Sequence, residues 1–491
     1  MILPPPPRPR NDPLRLLQSA WDEAAPPAAS LLGPLDQARG LLRFVPLPLV
    51  LDALARCGRL SRRRRRLPAE AVVWLVIGQA LFRDRSIPKV WRKLHRGAAA
   101  REPADSAFSQ ARRRLGERPL RELFRAVAGP LGRPGQPGVF FKRWRVLALD
   151  GTVVELPDTP ANRAAFGSAS NQHGPGAFPQ LRLAALCEVG THAILAARFG
   201  PYARAETELV ARLLGGLPPG CLLLLDRGLS YYWVIRAALR RGGAVLARVK
   251  AGQRELPVER ELPDGSYLWT LYPSATARRR GEAGVRVRVV RYAHRDPALA
   301  GCGEPCCLVT TLLDPREMSA REAVATYPWR WEGESTFAEV KSVLLKGKQP
   351  LLRSKAPALV AQEVYGLLLA HFVARRVMAE AAAGAGVGPA RLSYKHSLEA
   401  LQDRLTEPVR GRGVRWQARL LREVGQQRLR PKRARPYPRV KKGNRKRWPT
   451  KEVGAPPPRK PSLPFAQAVE ILGPRRGPPG QTRQPPPEVP P

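Results

Sequence analysis

The hydrophobic pattern of this chain changes period several times. Between positions 41 and 130 apolar residues recur at helical spacing. Ala69 to Phe82 reads as an apolar helix, Lys89 to Arg96 as a second helical stretch, and Ser106 to Leu115 as a third that opens on Ser106 as candidate N-cap. The third carries Arg112, Arg113 and Arg114, and short helices with a basic exposed face suit helix-turn-helix docking on DNA. An ordinary helical domain with a solvated basic face gives the same pattern. The run Arg62 to Arg66 reads as a loop that contacts phosphate or water.

From about position 145 short buried runs take over. Arg145 to Asp150 is apolar and ends in a carboxylate. Leu181 to Val189 and His192 to Phe199 are strand-like runs joined at Gly190-Thr191, a hairpin signal. Ala205 to Leu214 follows as a helix, Cys221 to Asp226 as a buried strand again ending in Asp, Ser230 to Arg241 as a helix and Ala244 to Lys250 as a strand. The last three form a βαβ unit, which requires parallel pairing. Residues 251–318 then carry strand signals at Ser266 to Leu271, Val285 to Val290 and Cys307 to Leu313, as expected of a small antiparallel region. The helical pattern resumes at Ser319, where Ser319 and Glu322 fit a capping box. Pro328 marks a break, Trp329 to Lys346 fits one helix, and Ala358 to Ala383 is a long apolar core helix.

The expected organisation is therefore a disordered Pro-rich N-terminus (1–40), a helical N-terminal DNA-binding domain (41–135), the first part of an α/β core (140–250), a β-rich insertion (251–318), the helical second part of the core (319–385), a C-terminal helical region (386–427) and a basic, Pro-rich disordered tail (428–491).

Charge narrows the function. The 491 residues include 84 Lys and Arg against 40 Asp and Glu, a net charge of +44. Such a surplus repels itself and implies an anionic partner, of which nucleic acid is the expected kind. Arg-rich codon usage would raise Arg without leaving the acids at half the basic count. No run of about 18 apolar residues suggests a membrane span. Met1 to Arg10 lacks an apolar secretion core, so a cytoplasmic protein is expected. Six cysteines are too few for a disulfide scaffold, and the cluster Cys302, Cys306, Cys307 lacks zinc spacing.

Three carboxylates carry the candidate chemistry. Asp150 opens Asp150-Gly151-Thr152 and Asp226 opens Asp226-Arg227-Gly228, each after a buried strand. Either alone could be a turn or cap residue, but two in a matching strand order would meet at one sheet edge. The third follows Pro328. Arg330, Glu334 and Lys341 stand four and seven residues apart, so on a regular helix they fall within roughly 40° of one another. Tyr327 lies just before them.

Tyr327, Arg330, Glu334 and Lys341 match, at every spacing, the YREK signature of insertion-sequence-four family transposases. The chain resembles that family from about residue 40 to 380, including both Asp motifs, the β-rich insertion and Leu352-Arg353-Ser354-Lys355 ahead of the apolar helix. Gly333 departs from it, standing where a bulky apolar residue is usual, and would loosen a helix by about 1 kcal/mol. Leu229 stands where an aromatic is common.

The resemblance implies an α/β, ribonuclease H-like mixed sheet with flanking helices, and a DDE transposase that cuts and joins DNA. Asp150, Asp226 and Glu334 would be its catalytic, metal-binding carboxylates, holding two Mg2+ ions for which Mn2+ can substitute. Arg330, Lys341 and Tyr327 would contact phosphates near the cut; Arg227 and, from the basic helix face, Arg112 and Arg113 are further candidate DNA contacts. Trp269 is the candidate to stack on a flipped base, against the plainer reading of a core tryptophan. The partners implied are double-stranded terminal inverted repeats and target DNA, bound by a homodimer in a synaptic complex. Rival readings are a DNA-binding remnant that has lost catalysis, another ribonuclease H-like nuclease, and a basic packing protein that would leave the buried-strand core unexplained.

Overall fold

The computed structural model describes residues 39–61, 66–94, 103–172, 174–249, 256–296, 302–345, 352–407, 414–429, 463 and 465–474. Residues 1–38, most of the run Arg62 to Arg66 and most of the basic tail lie outside the described residues. The chain divides into two compact units, Met1–Leu217 with Trp329–Pro431, and Pro218–Pro328 with Lys432–Pro491.

In the first unit, helices α1 (Leu47–Arg56), α2 (Ala69–Leu81), α3 (Ile87–Leu94), α4 (Asp105–Leu115) and α5 (Arg118–Val127) form the N-terminal part. Helix α2 is buried on all sides, as its unbroken apolar sequence requires. The N-cap of α4 is Ala104 with no side-chain bond, not Ser106, which sits inside the first turn. Strands β1 (Trp144–Glu155), β2 (Gln180–Glu188) and β3 (Ile194–Pro201) form an antiparallel meander, with Asp150 opposite Ala185 and Ala185 opposite Ala197. Helix α6 (Glu206–Leu214) follows.

The 41–135 region is not a separate body. Its helices share one hydrophobic core with the long helix α10 (Pro357–Gly384), through residues such as Trp74, Val76, Phe124, Tyr365 and Leu369. Position 366 shows how close the packing is: a Cβ on Gly366 would sit 2.8 Å from the Val76 side chain and 3.0 Å from its carbonyl oxygen. Helix α10 is long and apolar enough to cross a membrane, but 83% of its most apolar window is buried inside the fold, so it is the core helix expected. Helices α11 (Tyr394–Arg404) and α12 (Val414–Gln426) pack on it.

The second unit holds β4 (Cys221–Leu225), α7 (Tyr232–Arg240) and β5 (Ala244–Arg248), with β4 parallel to β5 as the βαβ pattern demands. The insertion adds β6 (Arg260–Glu261), β7 (Tyr267–Leu271), β8 (Val285–His294) and β9 (Cys306–Thr310), all antiparallel, and β9 joins β5. Its centre is the fully buried Arg288, which donates to the Met318 carbonyl and lies 3.5 Å from Asp264. The capping box of Ser319 and Glu322 starts helix α8 (Ala320–Thr326) as read from the sequence. The fold is α/β with a mixed sheet and the element order of a ribonuclease H-like core interrupted by a β-rich insertion.

Two further expectations fail. Tyr327–Arg330 is a 3-10 turn, α9 covers Trp331–Ala338, and Glu339–Leu344 is a π-turn, so Trp329 to Lys346 is not one regular helix. And the tail is not disordered throughout. Val469–Leu472 forms strand β10, antiparallel to β8 with Ile471 opposite Tyr292, and Glu470 pairs with Arg295. Val469 is buried, which an unfolded tail could not offer. A chain ended after residue 462 should therefore melt at a lower temperature and expose the insertion to protease, while one ended after 474 should match the full chain by thermal unfolding and limited digestion.

Candidate active site

Asp150 lies inside β1 rather than at its end, half-buried, with its Oδ1 accepting the Gly151 N–H at 2.8 Å. Alternation along the strand puts Ala148 and Asp150 on one face and Gly151 on the other. On the Asp150 face lies α9: a Cβ on Gly333 would be 3.3 Å from the Ala148 Cβ and 4.0 Å from the Asp150 Cβ. On the opposite face a Cβ on Gly151 would collide with Glu206 Oε1 at 2.0 Å. The glycine of Asp150-Gly151-Thr152 thus makes room for α6, and Gly333 makes room for the helix that carries Glu334.

Glu334 is exposed, and its Oε1 accepts from Arg330 Nη2 at 2.8 Å. Arg330 is largely covered, leaving 11% of its side chain exposed. Lys341 is less exposed than Glu334. The π-turn places it half-buried, where burial lowers its pKa against the carboxylates of Asp150 and Glu155. The first unit therefore brings Asp150, Arg330, Glu334 and Lys341 into one region. Trp331, which sequence reasoning passed over, is 60% exposed on the same helix as Glu334; its flanking arginine and acid were the available signal.

In the second unit Asp226 directly follows β4, as expected, and its Oδ1 accepts the Leu229 N–H at 2.8 Å. A Cβ on Gly228 would crowd both Asp226 carboxylate oxygens at 3.3 Å, so glycine leaves space against them. Arg227 is exposed beside Asp226. Tyr327 is buried, and Trp269 is half-buried on β7 opposite Val287, neither core nor fully open.

Arg112 departs from its expected role. It is buried, and its guanidinium donates to Gln362 Oε1 at 3.3 Å, Ser354 Oγ at 3.3 Å and the Leu359 carbonyl at 3.2 Å. Gln362 answers by donating to the Arg112 and Gly116 carbonyls. A guanidinium so engaged ties α4 to α10 and cannot reach a phosphate. Arg113 and Arg114 are exposed and remain available for one. Arg353 and Ser354 serve the same junction: their N–H groups donate to Glu363, which also pairs with the buried Arg83.

Acids presented from a strand and from a helix, beside arginines, on a chain of net charge +44, describe an enzyme of phosphodiester chemistry on nucleic acid. Residues 36–125 match the insertion element 4 transposase N-terminal family, and residues 143–373 match the transposase DDE domain. The chain is 30% identical over 451 residues to the transposase InsG for insertion sequence element IS4 of Escherichia coli, covering 88% of this chain and 96% of that protein. It belongs to the IS4 family of DDE transposases, enzymes of DNA cleavage and strand transfer. A distant structural likeness is to the piggyBac transposase in a synaptic complex with hairpin DNA, with a TM-score of 0.39 and 12% identity over 80% of this chain and 83% of that one.

Family membership implies dependence on a divalent metal. Among the described residues no three His, Cys, Asp or Glu side chains are gathered closely enough to hold an ion. Carboxylate oxygens are the hard donors that such an ion takes: Asp150 and Glu334 offer them in the first unit, and in the second Gly228 leaves space at those of Asp226.

Gly333→Ala should cut end DNA at close to the wild-type rate, because Ala148 need give only a few tenths of an ångström, whereas Gly333→Leu should lose at least about tenfold in a nicking assay by lifting α9 from β1. Arg112→Met should lower stability by about 2–4 kcal/mol in denaturant unfolding. Arg113→Ala should leave stability unchanged and flatten the salt dependence of DNA binding by about one unit of slope.

Proposed function

We propose that Asp150, Asp226 and Glu334 are the metal ligands of this transposase, holding two Mg2+ ions, with Mn2+ able to substitute. The observation that carries the reading is the packing of α9 on β1 through Gly333, which sets the helix of Glu334 directly against Asp150. When bound, the ions supply an acidified water and a counter-charge for the departing oxygen. The rest falls to the chain's own residues. Arg330, which already grips one carboxylate, and Arg227, exposed next to Asp226, would bind phosphates flanking the cut. Lys341, beside Asp150, would add positive charge near the scissile phosphate. Tyr327 would offer its hydroxyl to a phosphate once DNA is seated. Trp269 and the exposed Trp331 give aromatic faces on which an unstacked base could rest.

In the reaction, water attacks phosphorus and the bond to the 3′ oxygen breaks, leaving a 3′-hydroxyl. That hydroxyl then attacks a second phosphodiester, exchanging one ester bond for another in a hairpin or in target DNA. The substrates would be terminal inverted repeats and target DNA, held by a homodimer in a synaptic complex. The site of action would be the bacterial cytoplasm, at the nucleoid.

Glu334→Gln should abolish metal-dependent cleavage of the element's end DNA while leaving end binding in a gel-shift assay within about twofold. Cleavage by that variant at the wild-type rate would remove Glu334 from the ligand set.

A further inference from the structure

A buried polar cluster lies behind the helix of Glu334. Glu339, the first residue of the π-turn, accepts from Arg375 Nε at 2.8 Å and from Arg375 Nη2, and its Oε2 lies 3.1 Å from His371 Nε2. His192 completes it from the β2–β3 hairpin. Its Nδ1 lies 2.7 Å from Glu339 Oε1 and 2.6 Å from Arg375 Nη2, and its Nε2 lies 3.0 Å from Glu332 Oε2. Arg375, His371 and His192 are all buried.

Three features separate this cluster from ordinary core packing. The segment that carries Glu334 is gripped on both sides, at Glu332 by His192 and at Glu339 by Arg375, His371 and His192. His192 enters it from the β2–β3 turn with a left-handed backbone, φ +57°, uncommon for a non-glycine residue. And Arg375 Nη1, His371 Nδ1 and the Tyr394 hydroxyl are buried there without a protein partner among the described residues. A polar cluster left partly unsatisfied is a poor source of stability, since an apolar filling of like volume does as well or better. A π-turn likewise gives up regular helical bonding and is frequent at functional sites.

We infer that Glu339, clamped by Arg375, His371 and His192, is a positioning residue: it fixes the π-turn between Glu334 and Lys341 and so sets how the two are offered to Asp150. The inference rests on the reading of Glu334 as a metal ligand. Burial pushes the Glu339 pKa up, but the Arg375 charge and the histidine bonds more than reverse this, so the carboxylate stays ionised and the clamp stays closed at working pH.

The decisive variant is the double replacement Glu339→Met with Arg375→Met in the full chain, which removes both charges together and leaves neither unpaired. Cleavage of end DNA should fall about tenfold or more, and half-maximal cleavage should require about tenfold more Mg2+. Mn2+ binding to the complex with uncleavable end DNA, read by electron paramagnetic resonance, should weaken in parallel. End binding should stay at the wild-type value, and the melting temperature should fall far less than in Arg375→Met alone, which strands the Glu339 charge. Unchanged cleavage and metal affinity would overturn the inference, as would a loss of cutting that only tracks a loss of thermal stability. Glu339→Asp provides a second reading, since it keeps the charge and shortens its reach by one methylene. It should raise the metal requirement without lowering the melting temperature, and an unaltered requirement counts against the clamp. If Glu334→Gln is dead while the double variant is wild-type, only this inference fails; if Glu334→Gln cuts normally, the ligand reading beneath it fails.

Discussion

The helix that carries Glu334 lies close against the strand that carries Asp150 because position 333 has no bulky side chain. With the Gly333 Cα facing Ala148, the two backbones approach until even a methyl group would be tight. Everything proposed for catalysis inherits that approach: the nearness of Lys341 to Asp150, the outward presentation of Glu334 and its grip by Arg330. A glycine inside a helix normally costs about 1 kcal/mol relative to alanine. Here the cost is offset by packing that a larger residue at 333 would prevent unless the strand also changed.

Arginine serves two purposes in this chain, and its abundance hides the division. Arg83, Arg112, Arg288 and Arg375 are buried, and each is engaged by carboxylates, carbonyls or side-chain oxygens. They are joints, fastening α4 to α10, the insertion to the start of α8, and the π-turn to α10. The planar guanidinium suits this work because one group can hold several acceptors in fixed directions. Other arginines, among them Arg113, Arg114 and Arg227, are exposed and keep their charge at the surface.

That division explains what the sequence could and could not convey. Buried strands such as Cys221 to Leu225, the parallel βαβ unit and the Ser319–Glu322 capping box were legible because each is a local pattern with one physical solution. The spacing of Tyr327, Arg330, Glu334 and Lys341 was legible as a signature, but not as geometry. A count at 100° per residue puts Lys341 on the face of Glu334, and nothing local announces that Glu339 will be drawn into the core and the turn widened. Arg112 failed for the same reason, because its partners Ser354, Leu359 and Gln362 lie some 240 residues away. The strand Val469–Leu472 was lost in a Pro-rich surround, where four residues of β-pattern gain their meaning only from the edge of β8. Asp150 in mid-strand was missed because Gly151-Thr152 resembles a turn, whereas Gly151 is there to admit Glu206.

The two kinds of electrostatic contact around α9 differ in a way that matters for an enzyme that must bind and release its charged partners. The Arg330–Glu334 pair has an exposed carboxylate, so water and salt screen it and its net strength is small. Glu334 can change partners at little cost. The Glu339–Arg375 pair is buried with both histidines around it, so breaking it would strand charges away from water. The backbone beneath Glu334 is therefore held by contacts that resist change, while its side chain is held by one that does not. A carboxylate in the metal-binding role proposed for Glu334 is served by that combination: stiffness where the helix meets the core, and exchange at the carboxylate itself.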